Sequence, residues 1–131
     1  HPWEVVDCAH NQASARALMT ALRRHLVYDR MILVLGASEG KPVEAMAQEL
    51  ASAEHAILTQ ASLPRALPAE ELAERTRAVW RSLEVIPSPP EALEHARKIA
   101  GPRDLLCITG SFYVAGELIE AGMLPMRLCA P

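Results

Sequence analysis

The sequence lacks the features that mark several protein classes. None of its apolar runs approaches the roughly 18 to 20 residues that a membrane-spanning helix needs, and the opening residues, HPWEVV, do not resemble a secretory leader. Only three cysteines are present, Cys8, Cys107 and Cys129, without CxxC spacing. This pattern disfavours a disulfide framework and a zinc site. We therefore expect a cytoplasmic protein with reduced thiols.

An excess of positive charge is also missing. The 13 basic residues are outnumbered by 16 acidic ones, which gives a formal net charge of -3 and disfavours a nucleic-acid-binding surface. The 131 residues are half apolar, enough for a single domain spanning 1–131. Because the chain opens with His1 instead of Met, we expect it to have been cut from a longer protein.

Short apolar runs alternate with segments of helical period. Apolar and polar residues hardly alternate within these runs, as is typical of strands that are covered on both faces. The runs are Val5-Val6, Met31 to Leu35, Ala56 to Leu58, Val85-Ile86 and Leu105 to Ile108. Helices are predicted through Ala15 to Leu26, over Pro42–Ala53 and Pro68–Ser82, from Ser88-Pro89, and from Gly110-Ser111 to Gly122. This order predicts an α/β fold: a Rossmann-like, mostly parallel sheet of about five to six strands with helices on both faces.

Polar residues accumulate where the predicted strands end. The first strand is followed by Asp7, His10 and Asn11, the second by Lys41, the third by Arg65, and the fifth by Ser111 and Tyr113. Ligands of open α/β sheets bind beyond the carboxyl ends of the strands, so this edge is the candidate site. Each residue also has a structural interpretation. Asn11 and Ser111 are favoured helix N-caps, Asp7 and His10 suit a turn, and Lys41 suits a solvated surface.

The segment Gly36 to Lys41 resembles a phosphate-binding loop but departs from it. Three residues separate its glycines instead of four, and Pro42 stands where a magnesium-binding hydroxyl is needed. This chain by itself therefore does not make a standard ATP-hydrolysing site. Gly110-Ser111 is the stronger anion candidate, since a glycine lets a ligand approach the backbone at a helix N-terminus.

Three stretches, DCAHNQASARAL, TQASLPRALPAEELAE and ITGSFYVAGE, together resemble the C-terminal domain of folylpolyglutamate synthase / dihydrofolate synthase in the Mur ligase superfamily. The similarity runs from Trp3 to Gly122. The resemblance implies an ATP-dependent ligase that adds glutamate to dihydropteroate or folate through an acyl phosphate. ATP and magnesium would be held mainly by a preceding ATPase domain that this chain does not contain, and the isolated domain would be inactive.

The resemblance also implies roles for individual residues. His10 and Ser111 match residues expected near the incoming glutamate, whereas Asp7 and Asn11 match residues expected near the nucleotide or the interdomain hinge. Lys41, Arg65 and Tyr113 are further candidates, and no metal ligand is expected. The sequence departs from the family pattern at Gly40-Lys41-Pro42, where two acids are lost. Two alternatives stay open: a peptidoglycan-precursor ligase domain, and a non-catalytic stand-alone binding module of the same fold.

Overall fold

The computed structural model describes residues 2–125, and its elements alternate along the chain as the sequence predicts. The strands are β1 (Trp3–Val6), β2 (Met31–Leu35), β3 (His55–Leu58), β4 (Leu83–Val85) and β5 (Leu105–Thr109). The helices are α1 (Gln12–His25), α2 (Val43–Glu49), α3 (Ala69–Thr76), α4 (Pro89–Ile99) and α5 (Phe112–Glu120), with a 3-10 turn at Arg77–Val79. None of the helices in this part of the chain is long and apolar enough to cross a membrane.

The five strands form one parallel sheet in the order β1-β5-β2-β3-β4. Three successive connections, from β1 to β4, step across the sheet in one direction, and the connection from β4 to β5 steps back. Crossovers of one hand must therefore place α1, α2 and α3 on one face and α4 on the other. The α/β, Rossmann-like architecture expected from the sequence is confirmed.

Two apolar layers hold the helices to the sheet. On one face, side chains such as Leu18 of α1, Met46 of α2 and Leu72 of α3 pack in a single cluster with alternate strand residues. On the other face, Leu93 of α4 and Leu118 of α5 pack with the intervening strand residues. All five residues of β2 and all five of β5 are buried, because these central strands are covered on both sides.

An ion pair fastens β2 to β5 at the edge where these strands begin. The Asp104 carboxylate accepts hydrogen bonds from the Arg30 guanidinium at 2.7 and 3.3 Å and from the Gly101 N–H at 2.7 Å. The Asp104 side chain is 5% exposed. The bond from Arg30 is the main reason that the pKa of this carboxyl lies below its usual value. A partly buried ion pair therefore connects the segments that lead into β2 and β5.

Several boundaries differ from those predicted from the sequence. Helix α2 ends at Glu49 instead of Ala53, and Pro42 precedes it as the N-cap. Helix α3 ends at Thr76 instead of Ser82, where the Thr76 hydroxyl accepts a 2.9 Å hydrogen bond from the indole of Trp80. Strand β4 lies two residues earlier than predicted at its start and ends at Val85. Helix ends are the least certain part of a prediction from sequence.

The expectation of reduced cysteines is wrong at one position. Cys8 is disulfide-bonded, whereas Cys107 is a free, buried thiol. Cys129 lies outside the described residues. Sequence spacing did not indicate a disulfide, because pairing depends on the approach of two residues in space.

Candidate functional site

The ends of β1, β2 and β5 meet at one edge of the sheet, because these three strands are neighbours. From β2 the chain passes to α2 on one face, and from β5 it passes to α5 on the other face. The sheet therefore has a topological switch point between β2 and β5. Open α/β sheets bind their ligands in the crevice at this place.

A cavity of about 390 Å³ lies at this switch point. Its walls come from all three strand ends: His10 follows β1, Ser38 and Lys41 follow β2, and Ser111 and Tyr113 follow β5. A second cavity of about 660 Å³ is lined by Ser38, Lys41, Tyr113 and Arg65. Since three residues line both cavities, the two adjoin and form one continuous site.

Ser111 lies where helix α5 begins. It is 7% exposed, and its Oγ accepts hydrogen bonds from the N–H groups of Tyr113 at 3.2 Å and Val114 at 3.3 Å. Two of the orphan amides of this helix are thereby satisfied. Neither the Ser111 hydroxyl hydrogen nor the Phe112 N–H has a hydrogen-bond partner among residues 2–125, so both can serve a ligand. The N-cap interpretation and the anion-site interpretation of Ser111 are therefore compatible.

Gly110 fixes the distance between the ends of β5 and β2. Its φ is +95°, and a Cβ at this position would collide with the carbonyl oxygen of Gly36 and with the side chain of Leu35. The Gly36 N–H also donates to the Thr109 carbonyl at 3.3 Å. Glycine is needed here for the contact between two strand ends, which the sequence had instead explained by the approach of a ligand.

His10 is exposed at the mouth of the smaller cavity. Its Nδ1 lies 3.2 Å from the Cys8 carbonyl oxygen, and because a carbonyl only accepts, this nitrogen carries the proton. The Nε2 atom is then free to accept a hydrogen bond from a ligand when the ring is neutral. His10 is oriented by its own backbone, whose N–H donates to the Ser14 Oγ at 3.0 Å.

Asn11 and Asp7 do not line either cavity. The Asn11 Oδ1 accepts from the Ser14 N–H at 2.8 Å, and the Ser14 Oγ accepts in return from the Asn11 N–H at 3.1 Å. This capping box supports the N-cap interpretation of Asn11. The Asp7 N–H continues the sheet by donating to the Ile108 carbonyl at 2.9 Å. Burial, and secondarily the charge of Asp7, raises the pKa of the Cys107 thiol to about 12.

Lys41 and Arg65 are brought to the same cavity by two loops that pair through their main chains. The Glu39 N–H donates to the Arg65 carbonyl at 2.7 Å, and the Leu67 N–H donates to the Ala37 carbonyl at 2.9 Å. Ser38 and Ala66 form an isolated antiparallel bridge between these bonds. Neither Lys41 nor Arg65 forms an ion pair with another residue between 2 and 125. Both cations are therefore available to an anionic ligand.

The sequence missed Ser38, which lines both cavities. Its signal was its position, three residues after the end of the buried strand β2. Thr59 and Gln60, which follow β3, have structural roles instead: the Thr59 hydroxyl donates to the Pro87 carbonyl at 2.9 Å, and the Gln60 Oε1 accepts from the Ala69 N–H at 2.8 Å. Within residues 2–125, no group of three or more His, Cys, Asp or Glu side chains can hold a metal ion.

Comparison with solved structures finds ligases with the same fold. The Yersinia pestis bifunctional folylpolyglutamate synthase/dihydrofolate synthase, complexed with AMPPNP and Mn, superposes with a TM-score of 0.82 at 23% identity, over 92% of this chain and 28% of that one. Mycobacterium tuberculosis folylpolyglutamate synthase, complexed with ADP, gives 0.83 at 25% identity, over 93% of this chain and 30% of that one. E. coli FolC, in complex with DHPP and ADP, superposes with a TM-score of 0.79 at 23% identity, over 88% of this chain and 28% of that one.

This chain thus spans less than a third of the length of these enzymes. A search of curated protein sequences finds no match. Residues 2–112 match the family described as "Mur ligase, glutamate ligase domain". This match covers most of the chain and shows that it belongs to the Mur ligase family, as its glutamate ligase domain.

Proposed function

We propose that this chain is the glutamate-binding domain of an ATP-dependent ligase of the folylpolyglutamate synthase/dihydrofolate synthase type. The full enzyme would add glutamate to dihydropteroate or folate through an acyl phosphate. The ligands named for the solved relatives support this proposal, since one is in complex with DHPP and ADP and another has L-glutamate, AMPPNP and Mn bound.

The single observation that carries the proposal is the cavity at the switch point. Glutamate has two carboxylates and one amine, and this cavity combines the Lys41 ammonium, the Ser111 hydroxyl at a helix N-terminus and the His10 imidazole. The cation and the helix N-terminus suit the carboxylates, while Nε2 of a neutral His10 suits an amine hydrogen. Arg65 in the adjoining cavity adds a second cation for the other carboxylate.

In the proposed reaction the domain positions its substrate. The glutamate amine attacks the acyl phosphate made with ATP, so that a C–N bond forms, the C–O bond to phosphate breaks, and the amine loses a proton. His10, Ser111 and Lys41 would fix the amine at one distance and direction from that carbon. Such orientation accounts for a large part of the rate of two-substrate reactions.

ATP and magnesium would be bound mainly outside this chain. The segment after β2 is not a phosphate-binding loop, and the described residues hold no metal-binding cluster. We propose that Asp7 and Asn11, although they do not line the cavities, lie towards the nucleotide or the interdomain hinge. The partner would be the enzyme's own ATPase domain, and the cytoplasm its location.

The proposal is tested by titrating the chain with L-glutamate and following amide resonances by NMR. Weak, saturable shifts are expected near His10, Lys41 and Ser111. His10→Ala and Lys41→Met should weaken binding, whereas Lys98→Met, which alters a lysine paired with Glu94 on α4, should not. Equal binding by all variants contradicts the proposed site.

A kinetic test applies to the full-length enzyme. His10→Ala should raise the KM for glutamate far more than the KM for ATP, because His10 lines the proposed amino-acid cavity. Equal effects on both constants contradict the assignment. An upstream coding sequence with a G-x-x-x-x-G-K-[ST] motif supports the ligase, and amide formation by this chain alone contradicts its proposed inactivity.

Two alternatives make different predictions. A peptidoglycan-precursor ligase domain would give glutamate binding but no turnover of folates by the full enzyme. A stand-alone binding module would bind its ligand without any ATPase domain in the gene, and the loss of acids at Gly40-Lys41-Pro42 favours it.

A further inference from the structure

Four polar side chains gather where β3 and β4 begin, at the edge of the sheet opposite to the candidate site. His55 is the first residue of β3, Ser82 lies just before β4, and Glu84 is the middle residue of β4. Because Ser82 and Glu84 are two residues apart on an extended segment, their side chains project to the same face of the sheet. Helix α4 covers this face, and its His95 reaches Glu84.

The hydrogen bonds of this group fix where the protons lie. The Glu84 Oε1 atom is 2.7 Å from His55 Nε2 and 2.9 Å from His95 Nε2. Because an ionised carboxylate only accepts, the Nε2 atom of His55 carries a proton, and the Nδ1 atom of the neutral ring is then an acceptor. This Nδ1 is 2.7 Å from the Ser82 Oγ. The Ser82 hydroxyl is therefore the donor to His55.

Glu84 is ionised at neutral pH and holds the His55 ring in this orientation. Burial tends to raise the pKa of Glu84, but the hydrogen bonds from His95 and His55 lower it by more, so that it lies below its usual value. The His55 side chain is only 14% exposed. Contacts at both ring nitrogens and burial therefore restrict the imidazole to one position.

This arrangement activates a serine nucleophile: a hydroxyl donates to an imidazole, and a carboxylate orients that imidazole. We propose that Ser82 is such a nucleophile, with His55 as its general base and Glu84 as a positioning residue, and that it hydrolyses small activated esters of carboxylic acids. Ser82 is exposed, so that an ester reaches its Oγ directly from solvent. The activity is separate from the proposed ligase function, whose site lies at the other edge of the sheet.

The proposed hydrolysis has two steps. In the first, the Ser82 Oγ attacks the ester carbon: the bond from this carbon to Oγ forms, its bond to the leaving alcohol breaks, and the hydroxyl proton passes through His55 Nδ1 to the alcohol oxygen. In the second, water attacks the acyl-serine and gives a proton to Nδ1, which returns it to Ser82 as the carboxylic acid leaves. Proton transfer by a positioned base of this kind accelerates reactions by about 10²–10⁴-fold.

The experiment exposes the chain to p-nitrophenyl acetate and measures the acetylation of individual serines by peptide mass spectrometry. Ser82 should be acetylated about 100-fold faster than a serine without a base. Ser62 is the internal control, because it is exposed and none of the histidine hydrogen bonds found within residues 2–125 reaches its hydroxyl. Release of p-nitrophenolate should continue beyond one equivalent, since water regenerates Ser82.

Three variants separate the roles of the residues. His55→Gln should slow the acetylation of Ser82 about 100-fold, because the base is lost, whereas His25→Gln, at an exposed residue of α1, should leave it unchanged. Glu84→Ala should also slow it, and Glu84→Gln should restore part of the rate, because the amide oxygen still accepts from His55 Nε2.

Equal acetylation of Ser82 and Ser62, or an unchanged rate in His55→Gln, overturns the inference. The comparison of the two serines needs no variant, so it decides the question even if His55→Gln does not fold. Equal rates for Glu84→Ala and Glu84→Gln overturn the positioning role of Glu84, and release that stops at one equivalent overturns the second step.

Discussion

Replacing Gly110 by alanine tests the contact that closes the site edge. At φ +95° an L-residue costs about 1–2 kcal/mol. The new Cβ also meets the Gly36 carbonyl oxygen and Leu35, and such overpacking costs about 1–3 kcal/mol. We expect the free energy of unfolding to fall by about 2–5 kcal/mol, a large share of the roughly 5–15 kcal/mol available to a domain.

The assay is urea unfolding followed by circular dichroism, with two matched glycine variants. Gly40 also has a positive φ, +81°, but no atom lies within 4 Å of its Cβ position, so Gly40→Ala should cost only the backbone term of about 1–2 kcal/mol. Gly116 lies inside α5 with open space around it. Gly116→Ala should stabilise the helix by about 0.5–1 kcal/mol.

The order of the three unfolding midpoints shows whether the close contact at Gly110 adds a cost beyond that of its positive φ. With a slope of about 1–3 kcal/mol per molar urea, Gly110→Ala should unfold at a clearly lower urea concentration than Gly40→Ala, and Gly116→Ala at a higher one than either. Equal midpoints for Gly110→Ala and Gly40→Ala refute the close approach of the β5 end to the β2 end.

Three further measurements follow from single contacts. Asn11→Ala removes the α1 cap and should lower the free energy of unfolding by about 1 kcal/mol, whereas Asn11→Ser should keep most of it. Equal urea midpoints for Asn11→Ala and the unchanged protein contradict the capping role. The Arg30 hydrogen bond holds the pKa of Asp104 below its usual value, so that this stabilisation is present at neutral pH and lost as the pH falls through the lowered pKa. Asp104→Asn should therefore have a lower free energy of unfolding than the unchanged protein at pH 7, and the difference between them should narrow below about pH 4. A difference that does not depend on pH contradicts the stabilising role of the Asp104 charge. Burial raises the pKa of Cys107 to about 12, and iodoacetamide at pH 8 should label it only after unfolding; rapid labelling of the folded chain contradicts that burial.

The strands were predictable because each is a short apolar run ended by Gly, Pro or a polar residue. A strand that is buried on both faces is apolar at nearly every position, so β2 and β5 can be located from their apolar runs alone. The site edge was predictable for the same reason: parallel strands end on one side, which places His10 and Ser111 together. Asn11 was predicted both as a cap and as a site residue, and its contacts support the cap.

Contacts between segments remote in sequence were not predictable. Arg65 lines the same cavity as Lys41 because two loops pair through main-chain hydrogen bonds. Such bonds do not depend on particular side chains, so they leave no pattern in the sequence. Leu63 and Phe112 are nearly fifty residues apart in the chain, yet both line one cavity of about 490 Å³. The end of α2 at Glu49 and the change from α3 into the 3-10 turn at Arg77–Val79 were also not predicted.

The pairing of the two loops also affects how such a site can change. Its two hydrogen bonds join backbone N–H and carbonyl groups of Ala37, Glu39, Arg65 and Leu67, and any residue but proline supplies a donor. The exposed side chains of Glu39 and Arg65 can therefore be exchanged without rebuilding this pairing, whereas those of Ala37 and Leu67 are buried in the core. If the proposed function holds, substitutions at Ser38, Lys41 and Arg65, which line the larger cavity, should therefore change ligand binding at little cost to folding.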